Sequence, residues 1–331
     1  MPKVTIVIPV YKVGKYIENS MKSVINQRFT DFEVILVDNN TPDDSIEIAE
    51  KVLAGTNINY RVVKQTIQGL PAARNMGIDV AQGEWIVSID PDDTISPFFL
   101  EELYSHAIKY KLPVIFSEYD EVEEKDLFVF PEDKKENAFE ILEREYIMHN
   151  LLTRRLPLMI SNMFFKKSIF VEYGFKFDQS VILGADLMLL WRIVLNLEQI
   201  GHLNKKMYNH FFRADSLITA PSSKKIDSNL AGYRRTCDYV AEKYSKSFSE
   251  WMYARELYGL LSVVSIHGKY VMLKENMKRY YTKDIHNALQ SFPDKRINMM
   301  DRILYNCPRL FFFINKQLRQ PNSWLCKMLH K

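Results

Sequence analysis

The chain is poor in the features that would staple a fold together or thread it through a membrane. Its 331 residues hold three cysteines, Cys237, Cys307 and Cys326. An odd number without C-x-x-C spacing suggests neither a disulfide framework nor a thiolate zinc site, and fits a reducing cytosol. No window offers eighteen uncharged apolar residues, which argues against a membrane-spanning helix. The opening Val4-Thr5-Ile6-Val7-Ile8 is too short for a signal h-region and lacks a small-residue cleavage site, so no export signal is expected. A net charge of +3 is too small for a broad nucleic-acid surface. Internal repeats and low-complexity tracts are also missing.

What remains is an ordinary globular composition, 47% hydrophobic and 26% charged, long enough for one large core and an appended smaller unit. Val4–Val10 is a near-continuous β-branched run ended by Pro9-Val10-Tyr11, which reads as a strand buried on both faces. Helical spacing follows over residues 14–26, then a second buried strand ending in Asp38, a second helix, a third strand over 60–63 and a third helix over 71–81. Strand, helix, strand repeated in this way implies a parallel sheet with helices on both sides, binding ligands beyond the carboxyl ends of its strands. Tyr11, Asp38 and Asp90 stand at three such ends. Further on, residues 120–136 read as a solvated hairpin or loop, 140–152 as a helix, and His210, Arg213 and Ser216 as loop residues after a strand-like Met207-Tyr208. From residue 226 the pattern turns to amphipathic helix, over 227–244, 250–267 and 275–289, with a boundary near Pro221-Ser222-Ser223. The last thirty residues hold six Lys/Arg and no acid, interleaved with Tyr305, Leu310, Phe311, Phe312, Phe313, Trp324 and Leu325. Cations with clustered rings suit an anionic membrane surface, and a tail packed on the helical unit is the alternative.

The chemistry concentrates in Asp90-Pro91-Asp92-Asp93, three carboxylates at the end of the apolar run Trp85-Ile86-Val87. Repelling charges at a strand end are tolerable chiefly if a cation or a donor-rich ligand arrives. A polar turn capping the next helix would use the same residues.

Four blocks stand in order at compatible spacing: Val7-Ile8-Pro9-Val10-Tyr11; Val37-Asp38-Asn39-Asn40-Thr41-Pro42-Asp43-Asp44-Ser45; Gly69-Leu70-Pro71-Ala72-Ala73-Arg74-Asn75-Met76-Gly77-Ile78; and the stretch from Ala81 through Trp85 to Asp93. Together they resemble the family 2 glycosyltransferases, densely through the fourth block, more thinly up to Thr219, and not in the helical end. The resemblance implies an α/β fold of GT-A (Rossmann-like) type, a mostly parallel sheet flanked by helices, with residues 1–221 as the nucleotide-sugar-binding domain and 222–331 as a helical C-terminal extension. It implies that Pro9, Val10, Tyr11 and Asp38 hold the nucleoside, that Gly69 lets the backbone approach the donor, and that Arg74 touches it. Asp90 would face ribose or metal-bound water, and Asp92 would bind Mg²⁺ or Mn²⁺ bridging the diphosphate. Asp93 would order the loop. Asp186, in Gly184-Ala185-Asp186 ahead of Trp191, takes the place of the family's general base, although Ala185 stands where a second acid is usual. A plain helix cap is the other reading of Asp186. His210 matches an occasional third metal ligand or diphosphate contact, and Arg213 and Ser216 echo an Arg-x-x-Ser segment that closes over the donor.

The function implied is inverting, metal-dependent transfer from a nucleotide-diphospho-sugar, UDP-linked by expectation, to a glycan or lipid-linked oligosaccharide acceptor in bacterial surface-polysaccharide synthesis. The protein would work at the inner face of the cell membrane, without nucleic acid; a second copy of the chain is an open alternative as partner. A nucleotide- or carbohydrate-binding module that lost catalysis is conceivable because of Ala185. A nucleotidyltransferase would want a glycine- and lysine-rich phosphate loop, for which Lys12-Val13-Gly14-Lys15 is too sparse.

Overall fold

The computed structural model describes residues 1–131, 139–211 and 222–318. They form two compact units: residues 1–131, 139–179 and 186–211 make the first, and Ser180–Ala185 with residues 222–318 the second. In chain order the first unit carries β1 (Val4–Val10), α1 (Ile17–Ile25), β2 (Phe32–Asp38), α2 (Ser45–Leu53), β3 (Asn59–Lys64), α3 (Leu70–Val80), β4 (Trp85–Ser88), β5 (Thr94–Ile95), α4 (Phe99–Tyr110), β6 (Val114–Val122), β7 (Phe139–Glu143), α5 (Arg144–Leu152), β8 (Met163–Lys166), α6 (Ser168–Glu172), α7 (Ala185–Asn196) and β9 (Gln199–Phe211).

One mixed sheet runs β3-β2-β1-β4-β8-β6-β9-β5, with β7 paired on β9. The part built from the strand-helix repeats is parallel, β1 lying between β2 and β4 and β2 beside β3. Beyond β4 the order departs from a simple parallel sheet. β8 inserts antiparallel between β4 and β6, and β5 and β7 pair antiparallel with β9. All seven residues of β1 are buried, as a strand covered on both faces requires. Its even residues Val4, Ile6, Ile8 and Val10 join α1, α2 and α4 in the main core through Met21, Val24, Leu53, Phe99 and Leu103. Each such side chain removed from water contributes about 1.5–3 kcal/mol. On the other face Val7 meets α3, where a Cβ on Gly77 would stand 2.1 Å from Val7 Cγ1, so only glycine permits this approach. Pro9 is tolerated in a central strand because β4 has stopped pairing there: Ile89 N–H donates to the Val7 carbonyl, and the next position on that side is Pro9.

Several elements differ from the local reading. Residues 139–143 form strand β7, not the start of a helix; Ile141 is exposed and Leu142 buried, the alternation of an edge strand. Asp120 to Val122 continue β6 rather than opening a loop, since pairing with β9 is made by backbone and is indifferent to acidic side chains. His210 is likewise in β9, opposite Glu121, and not in a loop.

The second unit is helical: α8 (Ser223–Lys243), α9 (Lys246–His267), α10 (Tyr270–Tyr280), α11 (Lys283–Gln290), α12 (Lys295–Asn306) and α13 (Pro308–Leu318). Ile226, Leu230, Tyr233, Cys237 and Val240 make the buried stripe of α8 at helical spacing. The helix expected over 275–289 is two, because Thr282 caps a fresh start by accepting from Ile285 N–H at 3.3 Å. On α13, Phe311 is fully buried with its ring 5.9 Å from that of Tyr258, whereas Leu310 and Phe313 are exposed. Among the described residues no helix is long and apolar enough to cross a membrane.

Candidate active site

The carboxyl end of β4 leads through Ile89 to Asp90, and that is where the charged groups gather. Helix α3 starts after Gly69, whose φ of 132° no side chain readily adopts. Pro71 lies in its first turn, and Arg74, the fifth residue of the helix, is on its buried side. The Arg74 side chain is fully buried. It donates from Nη1 to Asp186 Oδ1 at 2.5 Å and from Nη2 to Asp90 Oδ1 at 2.7 Å. Burial lowers the guanidinium pKa, but Asp186 first and Asp90 second outweigh it and raise the pKa above its ordinary value, so the group stays charged. Asp186 lies in the first turn of α7, after Gly184 with φ 85°. The two carboxylates retain 25% and 42% side-chain exposure, Asp90 and Asp186 respectively, so each faces solvent while holding a buried cation.

A second cluster adjoins it. Asp93 is fully buried and accepts from Tyr208 Oη at 2.6 Å and from Phe211 N–H at 2.8 Å, with His210 Nδ1 at 3.2 Å. That hydrogen bond with Asp93 is the main reason the His210 imidazole is pushed up to about 9, burial opposing and Asp90 and Asp92 adding to it. Tyr208 is raised well above its ordinary value by burial and by Asp93, so it remains a donor. Asp90 N–H lies 3.3 Å from Tyr208 Oη and joins the two clusters.

The nucleoside-side candidates occupy the ends of β1 and β2. Pro9 and Val10 are buried, the Val10 carbonyl accepting from Asn39 N–H, and Tyr11 is 41% exposed. Asp38 accepts from Thr41 N–H at 2.9 Å and so orders its own turn. Beside it, Asn39 is a residue that the motif reading did not single out. Its amide donates to the carbonyls of Gln65 and Ile67 and accepts from Gly69 N–H at 2.7 Å, latching the loop before α3 to the end of β2. Tyr208 and Phe177 were also missed. Asn75 donates to the Phe177 carbonyl and accepts from its N–H, both at 2.9 Å, and the Phe177 ring lies 5.5 Å from the Arg74 guanidinium. Position next to Asp38 was the only local signal for Asn39; the other two had none.

The structure thus joins Arg74, Asp90 and Asp186 directly, and Asp93, Tyr208 and His210 next to them. Gly69 is tied to the β2 end. Asp38 lies at the same carboxyl end of the parallel strands but two strands from β4, and among the described residues no hydrogen bond links it to the acidic cluster. Arg213 and Ser216 lie outside the described residues. No group of three or more His, Cys, Asp or Glu side chains among the described residues is placed to hold a metal ion. The donor set suits an ion that draws most of its ligands from phosphate and water. Asp92 supplies a hard oxygen, and Asp93 holds His210 through Nδ1; because that bond favours the protonated ring, His210 would have to give up its Nε2 proton before it could bind a metal.

The sequence model described as glycosyl transferase family 2 matches residues 5–174, more than half of the chain. The chain is 26% identical to the uncharacterized glycosyltransferase EpsJ of Bacillus subtilis, over 70% of its own length and 67% of that protein. It is 25% identical to the glycosyltransferase GlyG of Streptococcus pneumoniae, over 97% of its length and 99% of that protein. Among solved structures, S. aureus TarS in complex with UDP-GlcNAc superposes with a TM-score of 0.63 at 16% identity, covering 97% of this chain and 92% of that one; TarS has also been solved with UDP. The fold is that of the GT-A glycosyltransferases, and the chain belongs to glycosyltransferase family 2. It is a glycosyltransferase.

Proposed function

We propose that the chain transfers a hexose or N-acetylhexosamine from a UDP-sugar to a glycan acceptor of a bacterial surface polysaccharide, with inversion at the anomeric carbon. The observation that carries this reading is the one buried guanidinium that holds both Asp90, of the Asp90-Pro91-Asp92 motif, and Asp186, at the start of α7, beyond the carboxyl end of β4. A donor-side carboxylate and a candidate base therefore share one mouth. The UDP and UDP-GlcNAc complexes of TarS support the choice of donor.

Asp186 takes the proton of the acceptor hydroxyl as that oxygen attacks the anomeric carbon, and the bond to the diphosphate breaks with its electron pair leaving on UDP. Tyr11 and Asp38 receive the nucleoside beyond the ends of β1 and β2. Asp92 and His210 would hold Mg²⁺ or Mn²⁺, which supplies positive charge for the departing diphosphate. Helix α13 exposes Leu310 and Phe313 on an element that also carries Arg309 and Lys316. We read it as the contact with an anionic cytoplasmic leaflet, where lipid-linked acceptors would be met.

A screen of UDP-, GDP- and dTDP-sugars for slow hydrolysis in Mn²⁺ tests the reading. UDP-sugar hydrolysis by the wild type, abolished in Asp92→Ala together with weaker Mn²⁺-dependent UDP binding, is expected. Unaltered turnover in Asp92→Ala would remove the metal assignment, and a calorimetric trace without heat from any nucleotide would remove the donor class.

A further inference from the structure

The family resemblance puts Arg74 against the donor, yet each terminal nitrogen of its guanidinium donates to a protein carboxylate. We propose that Arg74 is a positioning residue that acts through Asp186, fixing the base relative to Asp90 on one rigid planar group. This rests on the reading of Asp186 as the base.

Three features point to positioning rather than donor contact. The first is immobilisation. Asn39 holds Gly69 N–H at the head of α3, Gly77 seats the helix against Val7 with no room for a Cβ, and Asn75 clamps Phe177 by two hydrogen bonds beside the guanidinium. The helix that carries Arg74 is thus seated on the sheet, and the ring beside the guanidinium is held to that helix. The second is accessibility: Arg74 is fully buried, while Asp90 and Asp186 keep exposed surface, so a ligand meets the carboxylates before it meets the cation. The third is shape. One planar fork reaches two carboxylates from chain segments far apart in sequence, which a lysine ammonium on a flexible stem cannot do with fixed angles. Asp186 by itself is a half-exposed side chain at a helix start, free to change rotamer. Displacement of a reacting group by about 1 Å costs on the order of a hundredfold in rate.

The test uses the full-length protein with UDP-GlcNAc in Mn²⁺, measuring kcat, KM and calorimetric UDP affinity for Arg74→Lys, Asp186→Asn and the double variant. Arg74→Lys is expected to lose about a hundredfold in kcat, to hold KM and UDP affinity within about threefold, and to cost nothing further in the Asp186→Asn background. A loss that persists undiminished in that background, or a raised KM and weakened UDP binding with kcat unchanged, would show Arg74 acting on the donor itself and overturn the proposal. If Arg74→Lys does not fold, Asp90→Asn and Asp186→Asn are combined with Arg74 intact: shared dependence on the guanidinium requires their effects on kcat to be non-additive, and additivity overturns it. A wild type that neither binds UDP nor turns over any nucleotide-sugar fails the functional reading and takes this inference with it. An active wild type with additive losses removes only the inference.

Discussion

Two carboxylate networks, one in each unit, are built from the same kinds of groups and bury opposite partners. In the helical unit Asp301 is fully buried and accepts from Tyr281 Oη, from Gln290 Nε2 at 2.7 Å and, with the ring stacked on Tyr305, sits 2.7 Å from His286 Nδ1. Its partners come from α11 and from Tyr281 just before it, and the carboxylate has no exposed surface. Beyond the carboxyl end of β4 the burial is reversed: the cation, Arg74, is hidden, and the anions Asp90 and Asp186 look outward. A closed network pins helices, whereas an anion pair tethered from beneath keeps its oxygens open to solvent.

The comparison can be broken at its sharpest point by Asp186→Asn. Loss of at least about a hundredfold in kcat is expected, as for removal of a general base, with UDP affinity retained and Tm lowered, because buried Arg74 loses the charge of one partner. A nearly normal rate would erase the distinction on the catalytic side. On the other side, Asp301→Ala should cost about 3 kcal/mol of stability, since Tyr281, Gln290 and His286 all lose a buried partner. Read from the denaturant midpoint, that loss should leave kcat per folded molecule unchanged; a matching fall in kcat would mean the closed network serves the reaction after all. The smallest effect on stability belongs to α13. Replacing exposed Leu310 and Phe313 by serine should shift unfolding by no more than about 0.5 kcal/mol, yet weaken sedimentation with anionic liposomes. Undiminished sedimentation would rule these side chains out as the membrane contact.

Much of the first unit was legible locally. The β-branched run of β1, the acid closing β2 and the Gly-Pro start of α3 each obey a short-range rule, and so does the stripe Ile226, Leu230, Tyr233, Cys237 of α8. The misreadings fall where partners are distant. Residues 139–143 became a strand because β9 offered them an edge, not because their side chains demanded it. His210 left the expected loop for the same reason. Asp93 was expected to order its loop; its side-chain partners Tyr208, His210 and Phe211 lie in β9, more than a hundred positions away, beyond any local pattern. The aromatic run of α13 was read as one patch, and packing divided it, burying Phe311 and leaving Phe313 exposed.

The amino-acid order alone therefore determined which segments become strands or helices early in the chain, and it assembled the four blocks that carry the family likeness, because those are matters of spacing within a few residues. Only the tertiary structure decided the employment of Arg74. Its partner Asp186 is 112 residues distant, and a guanidinium has no preference among carboxylates until folding brings two of them to its prongs and removes the water between.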